Sequence, residues 1–161
     1  MDPILDKARA GQNRLEKLAN AIPGFKGYRE KELRRDADRL QREHLASRLD
    51  ECKKALNDAA AAITRSGALD AINDVETARK RLDKVANRIR YADRGYAGFF
   101  DAVKVDEPML ARVYEFDLAL LASVDKVREA ASRSHIADMI AAIDAIDSGL
   151  AEREAILSGI Q

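Results

Sequence analysis

The sequence predicts an all-α fold: an elongated antiparallel bundle of four to five helices with a long coiled-coil-like helical hairpin. Three observations lead there. Charged residues make up 35% of the chain, while glycines and prolines number only 8 and 3, a composition of long solvent-laced helices with few breakers. Stops at Pro23-Gly24, Ser66-Gly67 and Asp106-Glu107-Pro108 divide the chain into long segments. Within those segments apolar residues recur at alternating spacings of three and four, the period of helices packed at a shallow angle. A length of 161 residues suits one domain, 1–161, with room for a core.

The first helix is expected over Pro3 to Ala21, with Asp2 as N-cap and Pro3 where a missing N–H costs nothing. Its stripe is Ile4, Leu5, Ala8, Leu15, Leu18 and Ile22, and Pro23-Gly24 stops it. The second is expected from about Tyr28 to Arg65, ended by Ser66-Gly67. Its second half carries the seam Leu45, Leu49, Cys52, Leu56, Ala59 and Ile63. The third helix answers with Ala68, Ala71, Val75, Ala78, Leu82, Val85, Ile89 and Ala92. Two such helices joined by a tight turn make an antiparallel hairpin, and their alanines allow a close, thin contact.

Past Arg94-Gly95, the residues Tyr96, Phe99, Phe100 and Val103 keep helical spacing. The third helix is therefore expected to continue, straight or kinked, to about Lys104, so that the hairpin helices reach about 38 and 37 residues, or about 55 Å. Asp106-Glu107-Pro108 opens a fourth helix whose stripe is Met109, Val113, Phe116, Leu120, Val124, Val127 and Ala131. A fifth carries Ile136, Met139, Ile143, Ile146, Leu150, Leu157 and Ile160. No glycine or proline separates the last two, so one continuous helix is the alternative. Extending the fourth seam, however, would bury Ser134, His135 and Asp138, and the new seam is out of phase. A tight turn near Ser132 to Ser134 is expected instead. Gly149 keeps the fifth seam in register and reads as a weak point.

The aromatic residues all lie in two glycine-punctuated clusters or at Tyr91, Tyr114 and Phe116. Pairing the hairpin outward from Gly67 brings residues 28 and 105 level. Phe25, Tyr28, Tyr96, Phe99, Phe100, Tyr114 and Phe116 then gather at one end, as a core plug rather than a base-stacking platform. At the other end the hairpin, approximately 52–82, is expected to project about 20 Å beyond the shorter helices.

Catalytic and metal chemistry find little footing. A di-metal bundle needs Glu-x-x-His on two helices, and here Glu43 precedes His44 directly while His135 is followed by Asp138, a surface capping pair. Asp144 and Asp147 share a helix face as solvated surface. Cys52 sits on the hairpin seam, where a buried, inert thiol is expected, and His44 reads as a partly buried packing residue. Gly24-Phe25-Lys26-Gly27 and Gly95-Tyr96-Ala97-Gly98 match a Gly-x-x-Gly spacing, but no strand pattern accompanies them. No cofactor and no metal are expected, and the protein is read as not an enzyme.

One cysteine and no apolar run near the ~20 residues of a membrane span suggest a cytoplasmic, non-transmembrane protein. Net charge is zero, yet residues 1–100 carry 22 basic and 16 acidic side chains, and residues 101–161 carry 6 and 12. The simpler account is that the two parts pack on each other with complementary fields. The functional reading is a noncatalytic protein–protein interaction or scaffold protein, binding a protein partner or itself through Leu56, Ile63, Ile72 and Val75. The alternative is binding of an anionic ligand, nucleic acid or an acidic lipid surface. Its candidates are Arg34, Arg35, Arg79, Lys80, Arg81, Lys84 and Arg88 on the second and third helices.

Overall fold

A computed structural model of the protein describes residues 2–30, 34–91 and 107–157. Those residues form five helices and an extensively packed all-α bundle: α1 (Pro3–Ala21), α2 (Arg34–Ser66), α3 (Asp70–Arg90), α4 (Glu107–Ser132) and α5 (Ile136–Leu157). Among them, no helix is long and apolar enough to cross a membrane.

Local chemistry explains most of the boundaries. The Asp2 side chain accepts a hydrogen bond from the Ile4 amide at 3.0 Å, with Pro3 in the first turn of α1. Gly24 and Gly27, with φ of 81° and 89°, turn the chain sharply between α1 and α2. The expected start of α2 at Tyr28 is corrected, since Tyr28 to Glu30 lie in a bend and helix is described from Arg34. The Tyr28 carbonyl, which a helix would give to residue 32, accepts instead from Arg34 Nε at 2.7 Å. Between α4 and α5, the His135 amide donates to the Ala130 carbonyl and the Ser134 amide to that of Ala131, at 2.9 and 3.1 Å. Ser134 takes a left-handed φ of 57°, so the turn expected near Ser132 to Ser134 is a Schellman stop. At the far side of the hairpin, α3 ends at Arg90 with Tyr91 as its cap; the expected continuation to Lys104 lies outside the described residues.

The helices meet in a ring. α2 packs against α3 and α4, α5 packs against α3 and α4, and α1 lies against α4. Ion pairs give the directions. Lys53 with Asp83, at 2.7 Å, fits antiparallel α2 and α3. Arg81 with Asp144 and Arg88 with Asp147 and Glu154 run upward together, so α3 and α5 are parallel neighbours. Two hairpins, α2–α3 and α4–α5, thus lie side by side. Their shared core takes Leu45, Leu49, Leu56, Leu82, Val127, Met139, Ile143 and Ile146. A second core at one end joins Leu18, Ile22, Phe25 and Tyr28 to Ala37, Leu110, Val113 and Tyr114.

Gly149 is more than a weak point. A Cβ there would stand 3.1 Å from Leu120 Cδ2, so the missing side chain lets α5 close onto α4.

The free part of the hairpin is shorter than the expected 52–82. Cys52, Leu56, Val75, Ala78 and Leu82 are all buried in the shared core. Ala59 and Val75 are the last buried residues on the two helices, and none is buried from 60 to 74. The α2 side of that tip rises about 10 Å, at 1.5 Å per residue. The helical periodicity of the hairpin continues past its last fully buried residues, with Ala60 and Ile63 still packed against the core.

Leu82→Ala should therefore cost about 2–5 kcal/mol in urea unfolding, from lost transfer energy plus a cavity. Leu69→Ala, at the exposed tip, should stay within about 0.5 kcal/mol.

Candidate functional site

The residues expected to carry function fall into three settings. Leu56 and Val75 are each 1% exposed and serve the protein's own core; Ile63 is half-buried and packs against that core, and Ile72 is half-buried at the tip. Of the basic set, Arg34 is buried and donates to the backbone carbonyls of Tyr28 and Arg29. Arg79 pairs with Glu76 and donates to Asn57 Oδ1. Arg81 pairs with Asp144 at 2.6 Å, and Arg88 with Asp147 and Glu154 at 2.7 and 3.0 Å. Arg35, Lys80 and Lys84 are exposed. Acidic residues of α5 therefore lie against the basic run of α3, and they raise the Arg88 pKa further, the Glu154 hydrogen bond first.

The aromatic end is in part a packed plug. Phe25, Tyr28 and Tyr114 are buried and Phe116 is half-buried; Tyr96, Phe99 and Phe100 lie outside the described residues. The Phe25 and Tyr28 rings meet edge-on at 5.4 Å, and Tyr28 stacks on Tyr114 at 5.7 Å. The Tyr28 amide donates to the Tyr114 hydroxyl at 2.9 Å. Gly27 makes room for that contact, for a Cβ on it would come within 2.5 Å of the same hydroxyl and 2.9 Å of Leu15.

Beside the plug lies a buried ionic network that sequence reasoning missed. Arg153, 2% exposed, donates from Nε to Asp117 Oδ1 and from Nη2 to Asp38 Oδ1, both at 2.8 Å. Its Nη2 also reaches the Tyr28 hydroxyl at 3.1 Å, and that hydroxyl donates to Asp117 Oδ2 at 2.7 Å. Arg42 Nε donates to Asp38 Oδ2 at 2.7 Å, and its Nη1 donates to the Arg90 carbonyl at the end of α3 at 3.0 Å. Burial, and then the Asp117 charge, push the Tyr28 hydroxyl well above the usual tyrosine range, so it stays a donor. Burial also works against the Arg153 charge, but Asp117, Tyr28 and Asp38 outweigh it and hold the guanidinium protonated. On the same face of α2, Gln41 is 1% exposed, and its Nε2 has no partner among the described residues.

A signal for this network was present. Asp117 falls in phase with Val113, Leu120 and Val124; Asp38 and Arg42 with Leu45 and Leu49; Arg153 with Ile146 and Leu150. A charge at a core position of a helical seam demands a buried partner.

The remaining groups offer little chemistry. The Cys52 thiol is buried and pushed up to about 11 by burial. His44 is half-buried, and burial followed by Arg48 holds its pKa below the usual histidine value. His135 and Asp138 sit 3.5 Å apart on the surface. Among the described residues, no group of three His, Cys, Asp or Glu side chains could hold a metal ion. Near the α4–α5 turn, a groove of about 380 Å³ runs between the two helices; its apolar lining is alanine alone, Ala130, Ala141, Ala142 and Ala145.

Removing Arg153 would leave two buried carboxylates short of their main partner. Arg153→Met should cost about 3–5 kcal/mol in urea unfolding. At pH 8 a thiol titrating near 11 is about a thousandth ionised, so Cys52 should resist thiol reagents in the folded protein. Its labelling should follow the unfolding transition when denaturant is raised.

No protein family, curated protein or solved structure matches the chain.

Proposed function

We propose that this is a noncatalytic protein-interaction or scaffold protein of the cytoplasm that engages a protein partner through the tip of the α2–α3 hairpin. The observation behind the reading is the unburied run from 60 to 74. There the apolar seam continues with Ile63 and Ile72 half-buried and Leu69 67% exposed. Arg65 and Asp70 flank it, both exposed. An apolar end with a charged rim, held on a helical hairpin, has the make-up of a helix-mediated contact surface. A reducing compartment suits the single unpaired cysteine.

Binding of an anionic ligand draws less support. Arg34 is inside the protein, and Arg81 and Arg88 already face carboxylates of α5. Arg35, Lys80 and Lys84, the exposed remainder of the set, make a thin basic surface.

The test compares the tagged protein with Leu69→Asp in pull-downs from native lysate, with and without nuclease. Leu69 is exposed, so the variant should unfold at the same denaturant concentration as the parent. The expected result is a protein partner that survives nuclease with the parent and falls at least tenfold with Leu69→Asp. A partner held equally by both, or an eluate of nucleic acid lost on nuclease treatment, would reject the reading.

A further inference from the structure

Two surfaces outside the hairpin tip are each incomplete, and they complement one another. The first is the N-terminal half of α1. Ile4 and Leu5 are 76% and 56% exposed, two of the four large apolar side chains displayed by the described residues. Farther along the same stripe Leu18 and Ile22 are buried in the end core, so the helix is anchored at one end while its other end shows bulk to water. A Cβ added at Gly11 would meet nothing within 4 Å, so the helix is open at that position as well.

The second is the α4–α5 groove. Ala130 and Ala142 floor it, 7% and 8% exposed, and Ala141 and Ala145 are exposed along it. No large apolar side chain enters it from the described residues that line it. Alanine on both walls lets a third helix approach closely, with depth for bulky side chains from the incoming face.

Charge selects the occupant. Lys126, on the rim, is exposed and makes no ion pair among the described residues. Asp138 lies on the same rim, on the other helix, 3.5 Å from His135, and the remaining rim charges, Glu129 and Arg133, pair with each other at 2.9 Å. The exposed half of α1 carries Asp2 and Asp6 around Ile4 and Leu5, followed by Arg9. An α1 laid in the groove can thus offer carboxylates to Lys126 and a guanidinium to Asp138 while Ile4 and Leu5 fill the alanine floor.

We infer that the N-terminal half of α1 of one copy docks into the α4–α5 groove of a second copy. The contact joins two different surfaces, and every copy both gives a helix and receives one. It is small, in the range of transient interfaces, so the association is concentration-dependent. It does not depend on what the hairpin tip binds.

Sedimentation of the full chain over a concentration series tests this, with Leu5→Glu and Ala141→Glu as variants. Both positions are exposed, and circular dichroism checks that each variant keeps its helices. Wild type should self-associate, and each variant alone should associate at least tenfold more weakly. An equimolar mixture of the two should regain association, because Leu5→Glu keeps an intact groove and Ala141→Glu an intact α1. Should Ala141→Glu not fold, Ala145→Glu takes its place. Wild type that stays monomeric up to about millimolar concentration would overturn the inference. So would Ala141→Glu associating like wild type, which means that α1 pairs with itself, or a mixture that fails to associate.

Discussion

The guanidinium of Arg153, held between Asp38 and Asp117, ties together the parts of the molecule that the chain order keeps apart. It reaches α2, α4 and the Tyr28 bend from α5, all within the interior. Each of these charges alone would be intolerable there, since burial of an unpaired ion costs several kcal/mol. Together, with the Tyr28 hydroxyl and Arg42, they satisfy most of one another's hydrogen-bonding capacity. The network sits where the end core meets the four-helix core, and it fixes the relative height of the helices there.

That fixing matters because the rest of the core is permissive. Leucine, valine and alanine at three-and-four spacing would pack at several registers, each one turn from the next, with similar apolar burial. Directional bonds to Arg153 hold in only one of them. The Arg81 and Arg88 pairs to Asp144, Asp147 and Glu154 repeat the constraint on the α3–α5 side, though in more solvent-screened positions. The lopsided charge of the sequence, basic before residue 101 and acidic after it, is in part spent on this cross-hairpin pairing.

How much of this the sequence disclosed depends on the scale of the signal. The hairpin seam was legible because Leu45, Leu49, Cys52 and Leu56 face Val75, Ala78, Leu82 and Val85, a repeated pattern that local period reveals. The α4–α5 turn was legible because continuing one seam would have buried polar residues. The start of α2 was not, since Tyr28 gives its backbone groups to Tyr114 and Arg34, partners that no local pattern announces. The free tip was overestimated for a related reason: periodicity shows that a helix has an apolar face, not what covers it. The network escapes such a pattern because three-and-four spacing admits Phe116 to the α4 seam as readily as its neighbour Asp117, and because charged residues in helices are by default solvated.

The Arg153 arrangement also bears on the order in which the molecule can be assembled. Asp38 and Asp117 lie on α2 and α4, yet the cation that reconciles them comes from α5. An intermediate in which α5 is undocked must keep those carboxylates wet, so α2 and α4 cannot close fully at that level. Opening of α5 would in turn readmit water to the Tyr28 bend. Amide protons of α5 and of the lower turns of α2 and α4 should therefore exchange as one cooperative unit, although more than a hundred residues separate its ends.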